Sequence, residues 1–391
     1  MTLTGPCNAP DVVDVVALGE SMVTFLPSRP GRLADVPSFD RTIGGAESNV
    51  ACALAAAGHS ARWISRVGDD GFGDHLVEAI GSYGVDVAFV QRDPARPTGV
   101  YFRTAGDRAT DAHEVAYYRA GSAASVMSAG SVDLEAARAG RVLHLSGITA
   151  ALSGDCLDLL WELTEPRAGR PLVSFDVNFR QGLWADSDGP RVLLDLARRA
   201  DLVFVGADEA EAAWGLRGAG DIAGALPEPG LVVVKLGKGG AVAFHKDSDG
   251  QAGLAGLAGL AGLDGLDGLD GPERLEDADC VSTHVRAPHV DVVAAVGAGD
   301  AFAAGFLAAT LRGLPVPDRL RHGHLMAAAV LTAPGDLAAP PARDHADRLV
   351  ALDKRAWETL RLGPGWTTQA QDPHQDPHQD VHRTEEEVRT P

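Results

Sequence analysis

The sequence predicts an α/β fold: a doubly wound, mainly parallel sheet flanked by helices, with a small β-sheet lid. Three observations lead there. Short Val- and Leu-rich runs alternate with Ala-rich helical stretches. The runs are almost wholly apolar, as parallel strands covered on both faces should be. In two places the alternation lapses, and strands follow one another with no helix between them.

Taken in order, the candidate strands are Val12–Leu18, Ala61–Arg66, Arg141–Leu145, Leu172–Asn178, Leu202–Val205 and Leu231–Leu236. The helical candidates between and after them are Glu47–Ala57, Phe72–Tyr83, Cys156–Glu162, Arg191–Arg199 and Ala301–Arg312. The two lapses are Met22–Ile43 and Pro97–Arg119, where Thr98–Arg103 and Val115–Tyr118 are the clearest strands. Strands of this kind can pair into a separate layer over the C-terminal ends of the main strands, where open α/β sheets place their sites.

Composition narrows the function classes. Of 391 residues, 45% are hydrophobic and 23% charged, so a fibrous or wholly disordered chain is excluded. The net charge of −20 offers no cation excess to release counterions from phosphates, which argues against nucleic acid as a partner. No run of about 18 apolar residues predicts a membrane span. Cys7, Cys52, Cys156 and Cys280 form no CxxC pair, and scattered cysteines fit a reducing cytoplasm. Residues 251–271 carry glycine at every third position without proline, which predicts a mobile surface loop rather than collagen. The end of the chain repeats Asp-Pro-His-Gln and predicts a disordered tail. There His374, His378 and His382 have the spacing of a helical metal clamp, but Pro373 and Pro377 argue against the helix.

The strongest chemical signal is Val296-Gly-Ala-Gly-Asp-Ala-Phe302, followed by an apolar helix. Gly297 and Gly299 let a ligand approach the backbone, and the helix start offers unpaired N–H groups to a phosphoryl group. Asp300 stands where it can take a proton from a hydroxyl. The same residues also describe a plain glycine turn with a capping aspartate. A second helix start, Ile43-Gly-Gly-Ala-Glu-Ser-Asn-Val50, places Asn49 for a polyol and leaves room at Gly44 and Gly45; it also reads as a Ser48 or Glu47 cap. Gly68–Asp74 is a further glycine turn entering a helix. Asp208-Glu-Ala-Glu211 sets carboxylates at a strand end, suited to Mg²⁺ or simply to a solvated helix start.

In this order the pieces resemble the ribokinase-like, or PfkB, family of carbohydrate kinases. The resemblance covers roughly 12–351, apart from the glycine repeat. It implies one kinase domain over 12–362, with a lid from about 19–43 and 97–119, a low-complexity insertion at 246–279 and a disordered tail at 363–391. It implies ATP with Mg²⁺, Asp300 as base, and backbone N–H groups of Gly297, Ala298 and Gly299 as the anion hole. It places Asn178, Asp208, Lys235, Gly237 and Gly240 on the nucleotide side and Glu211 on the metal. The segments Thr98–Arg103, Tyr117–Ala124, Leu143–Ile148 and Asp176–Arg180 further resemble the members that phosphorylate 2-keto-3-deoxy sugar acids. An acid needs a guanidinium, and Arg119 and Arg180 both lie at predicted strand ends; Tyr101 and Tyr117 can bond the same acid or its keto oxygen. Both arginines also fit surface residues paired with carboxylates.

Two departures stand out. Ala294 occupies the place of an acidic residue six positions before Asp300, which removes a ligand for a monovalent cation. Asp208 stands where the family has asparagine. The helix dipole is expected to hold the Asp300 carboxyl low. The open lid edge leaves room for a second copy of the chain. Competing expectations are a fructokinase, another sugar kinase, or a non-catalytic sugar-acid sensor on the same fold. A nicotinamide-binding reading fails because Gly19-Glu-Ser follows the first strand without Gly-x-Gly-x-x-Gly.

Overall fold

The computed structural model describes residues 11–29, 31–104, 114–184, 188–246, 273–274 and 280–368. Its main sheet takes strands β1 (Val13–Leu18), β4 (Ala61–Ile64), β7 (Gly140–Ser146), β8 (Leu172–Asp176), β9 (Leu202–Gly206), β10 (Leu231–Lys235), β11 (Ala241–Lys246), β12 (Glu273–Arg274) and β13 (Cys280–Val285). They lie in the order β12-β13-β11-β10-β9-β8-β7-β1-β4. From β4 to β10 every pairing is parallel; β11, β13 and β12 add antiparallel strands at one edge. The parallel part follows from composition: Val15, Val16, Ala17 and Leu18 are all fully buried, so β1 has no solvent face.

Successive residues of a strand feed two cores. Val15 and Ala17 join the core on one face, and Val16 and Leu18 join the other. The first face is covered by α1 (Ala46–Ala56), α2 (Gly71–Ser82), α6 (Ala298–Leu311), α7 (Val316–Leu331) and α8 (Arg343–Val350). The second is covered by α3 (Gly154–Thr164), α4 (Gly189–Arg198) and α5 (Ala207–Trp214). The lid is a separate four-stranded sheet of β2 (Met22–Pro27), β3 (Phe39–Gly44), β5 (Val100–Arg103) and β6 (Val115–Tyr118), ordered β3-β2-β5-β6. Phe25, Phe39 and Phe102 bind it together, the first and last stacked at 4.7 Å.

Two expected boundaries move. The tail expected from 363 begins no earlier than 369: Gly363–Thr368 form a turn that buries Trp366 to 2% exposure in the core. Within the insertion expected over 246–279, Glu273 and Arg274 pair with Ser282 and Val281 as an edge strand. The glycine repeat and the histidines of the tail lie outside the described residues. Truncation after Thr368 should leave the melting temperature within a degree or two of the full chain. Truncation after Leu362 should cost about 3–5 kcal/mol, the scale of emptying a buried tryptophan site. Equal melting of the two truncations would contradict the placement of Trp366.

Candidate active site

Two helix starts converge beneath the lid. Gly297 opens α6 with φ 81°, and a Cβ there would stand 2.3 Å from the carbonyl oxygen of Asp336. Left-handed backbone and close approach together demand glycine. No side chain caps this end, so the first N–H groups of α6, those of Ala298, Gly299 and Asp300, remain for an anion. At the start of α1, Gly44 is required by crowding: a Cβ would lie 2.3 Å from the Tyr101 hydroxyl and 2.8 Å from Asp336 Oδ2. A Cβ on Gly45 would come 2.4 Å from the carbonyl oxygen of Glu20.

The two starts touch through side chains. Asn49 Nδ2 donates to Asp300 Oδ2 at 2.8 Å across 251 residues of sequence. Asn49 is 4% exposed, and its Oδ1 has no hydrogen-bond partner, leaving an acceptor aimed at the site. Asp300 keeps part of its surface open, yet its pKa is pushed up to about 8. Loss of hydration is the largest cause; Asp176 and Asp336 push the same way, against the Asn49 bond and Lys235. The expected dipole-lowered carboxyl is therefore corrected: burial outweighs the half-charge of a helix end. A base must be ionised to act, so kcat/KM should fall about tenfold per pH unit below an apparent pKa near 8. A profile flat between pH 6 and 9 would contradict this.

Lys235, at the end of β10, lies 3.0 and 2.9 Å from the two oxygens of Asp176. Burial alone would lower its pKa, but Asp176, Glu209 and Asp300 hold it above the ordinary lysine value. A Cβ on Gly299 would stand 3.6 Å from its ammonium, so a fixed cation flanks the start of α6. Asn178 is the one non-glycine with positive φ, 41°, among the described residues, and its buried Oδ1 has no hydrogen-bond partner. Strain of this kind gathers at functional sites. Gly237 (φ 56°) starts the turn from β10 to β11, and Gly240 (φ 104°) passes so close to Val285 that a Cβ would lie 2.1 Å from its oxygen.

Against the lid stands a group that no sequence motif marks. Asp336, 5% exposed, accepts from Tyr101 Oη at 2.8 Å and from Arg103 Nη2 at 2.5 Å. It thus ties β5 to the loop that braces Gly297. The Tyr101 ring lies 5.4 Å from that of the exposed Tyr117, tilted by 31°, and the Arg119 guanidinium lies 6.0 Å above the Tyr117 ring. Arg119 is buried and ion-paired to Glu20, which is also bonded by Ser122; Arg119 Nε has no hydrogen-bond partner.

Other expected neighbours stand apart. Arg119 and Arg180 do not meet: Arg180 is half exposed and pairs with Glu209 at 3.2 Å. Asp208 is exposed, and Glu211 pairs with Arg217 at 2.9 Å on the outer side of α5. Glu209, passed over in the sequence, caps the start of α5 through Gly206 N–H and acts on Lys235. No group of three or more His, Cys, Asp or Glu among the described residues could by itself hold a metal. Mg²⁺ keeps most of its waters and needs only one or two carboxylates beside phosphate, so Glu209 and Asp176 are compatible with it. No described helix is long and apolar enough to cross a membrane.

Comparison with known proteins agrees with this fold. The description "pfkB family carbohydrate kinase" matches residues 13–254 and 277–343. The 2-dehydro-3-deoxygluconokinase of Bacillus subtilis (strain 168) is 32% identical over 338 residues, 85% of this chain and 94% of that enzyme. Fructokinase-1 of Zea mays is 30% identical over 241 residues, 60% of this chain and 74% of that enzyme. The crystal structure of a PfkB protein from Polaromonas sp. JS666 superposes with a TM-score of 0.66 at 33% identity, covering 81% of this chain and 95% of that one. The chain belongs to the pfkB family of carbohydrate kinases.

Proposed function

We propose that this kinase transfers the γ-phosphoryl group of ATP to the terminal hydroxyl of a sugar acid, 2-keto-3-deoxygluconate, giving the 6-phosphate. Asp300 accepts the proton of the C6 hydroxyl as that oxygen attacks phosphorus in line, and the bond from phosphorus to the β–γ bridging oxygen breaks to release ADP. Asn49 holds the Asp300 carboxylate through Nδ2 and offers Oδ1 to a substrate hydroxyl. The N–H groups of Gly297, Ala298, Gly299 and Asp300 receive the transferring oxygens, and Lys235 adds charge beside them. Mg²⁺ bound with ATP would neutralise phosphate charge; each carboxylate that could hold it is paired, Glu209 with Arg180, Asp176 with Lys235 and Glu211 with Arg217, and would exchange that partner for the ion. On the nucleotide side, Asn178, Asp208, Gly237 and Gly240 shape the approach to these phosphates. Closure of the lid excludes water as a competing acceptor.

Arg119 carries the reading of an acid substrate. Glu20 already balances the charge of its guanidinium, but the Arg119 Nε, beside Tyr117, is a donor with no hydrogen-bond partner that a substrate carboxylate can take. Arg180 can join only if it exchanges Glu209 for substrate. The similarity to the Bacillus enzyme over most of both chains supports this choice, and the similarity to a fructokinase supports the second reading, a neutral ketose. Arg119→Ala separates them. Each charge-assisted bond contributes about 1.5–3 kcal/mol where water is excluded. The variant should lose roughly one to two decades of kcat/KM for the keto acid and much less for its neutral amide. Equal losses on both substrates would place Arg119 in the fold rather than on the acid.

A further inference from the structure

A second cavity, of about 160 Å³, lies at the opposite ends of the helices that form the site. Its walls include the C-terminal ends of α1 and α6, at Ala57, Ala308 and Arg312, and they close against α7 and the start of α8. Arg312 is twelve residues beyond Asp300 on α6, about 18 Å away at the rise of a helix. The cavity exists because small residues meet there. A Cβ on Gly305 would stand 2.4 Å from the His322 oxygen, so α6 and α7 pack at backbone distance, and alanines and prolines around them cannot fill the gap.

Its polar lining is one-sided. The only side chains with N or O atoms are His59, Arg312, His322 and Arg343; the remainder are Ala, Gly, Leu, Met and Pro. No carboxylate lines it. Asp347 is spent on Arg312, at 2.9 and 2.8 Å, and on His322 at 3.3 Å, while Asp14 faces His59 at 3.6 Å from outside the lining. Arg343, exposed at the first turn of α8, forms no ion pair among the described residues. Burial lowers the pKa of both histidines, that of His322 to about 4, so both are neutral rings and the positive charge of the lining comes from its arginines. One guanidinium unpaired among the described residues, Arg343, and no acid in the lining, over an apolar floor, suit an amphiphilic anion. The volume equals that of about five waters, which limits the ligand to a few carbons.

We propose that this cavity binds a compact aliphatic carboxylate, its anionic head on Arg343 and its carbon chain against Ala57, Ala308 and Met326. The site is separate from the phosphotransfer site and does not depend on which sugar the enzyme takes.

The test uses pyruvate as probe, with pyruvamide as its neutral control, at constant ionic strength, read by titration calorimetry and thermal shift on the full chain. Saturable millimolar binding of pyruvate but not of the amide is expected. Arg343→Ala should weaken it at least tenfold. Ala308→Leu, which fills the cavity and leaves every cation in place, should abolish it. Both variants should keep wild-type phosphotransfer, since neither touches the site of Asp300. Absence of saturable binding to the wild type would overturn the proposal. So would binding that survives both substitutions, because the carboxylate would then sit elsewhere.

Discussion

Asp300→Asn is expected to lower kcat by roughly two to four decades, the usual scale for a lost general base, and to raise the melting temperature at alkaline pH. The two effects share one cause. The folded protein holds the Asp300 proton up to about pH 8, whereas the carboxyl of an unfolded chain loses it near 3.8. Between those values the folded state binds more protons than the unfolded one, so this group makes stability fall as pH rises through that window. Above it the full cost of a dehydrated carboxylate is present. Asparagine has no proton to lose and still accepts from Asn49 Nδ2. The melting difference, variant minus wild type, should therefore be small near pH 5 and grow toward pH 9. A variant that keeps more than about a tenth of kcat would remove Asp300 from the role of base. A melting difference constant with pH would contradict the raised pKa.

Asp336→Ala is expected to have the largest effect on stability of any substitution at the site. It strips the partner from Arg103, 5% exposed, and from the Tyr101 hydroxyl. Removing one member of a buried ion pair costs about 3–5 kcal/mol, mostly as an uncompensated charge. The loop behind Gly297 loses its tie to the lid, so kcat/KM should fall at least tenfold as well. The double variant Arg103→Met with Asp336→Leu separates the roles. Replacing both charges by apolar groups of similar size should return most of the stability but not the activity, because the tie that aligns lid and anion hole is still gone. Full recovery of activity in the double variant would mean that the pair only supports the fold.

Much of the scaffold is legible in the sequence, and the reason is burial. Strands such as Val12–Leu18 and Leu231–Leu236 are apolar on both faces, which only a covered parallel sheet tolerates, and all six expected core strands form within a residue or two. The lid strands show as β runs lacking an intervening helix. Helix α7 was not visible because Arg321, His322, Gly323 and His324 interrupt its apolar pattern; all four are buried, and His324 bonds the oxygen of Val285. The uncapped helix start at Gly297 and the place of Asn49 are legible since glycine and asparagine at helix starts have local reasons to be there. Asp336 is not. A single aspartate after Thr-Ala-Pro-Gly carries no pattern, and its partners lie more than 230 residues away. The same holds for Glu20, whose pairing with Arg119 only the folded lid reveals, and for Trp366, hidden behind a proline-rich ending.

The central claim is that a carboxylate-bearing sugar is the phosphate acceptor. A coupled ADP-release assay with ATP and Mg²⁺ across 2-keto-3-deoxygluconate, its galactonate-derived epimer, fructose and ribose tests it most directly. At least one keto-deoxy acid should exceed the neutral sugars in kcat/KM by tenfold or more, the margin of one charge-assisted contact, with the phosphate on the terminal oxygen of the product. Fructose turned over faster than either acid would contradict the assignment and make the chain a ketose kinase, and ADP release with none of the four would remove sugar acids from its substrates altogether.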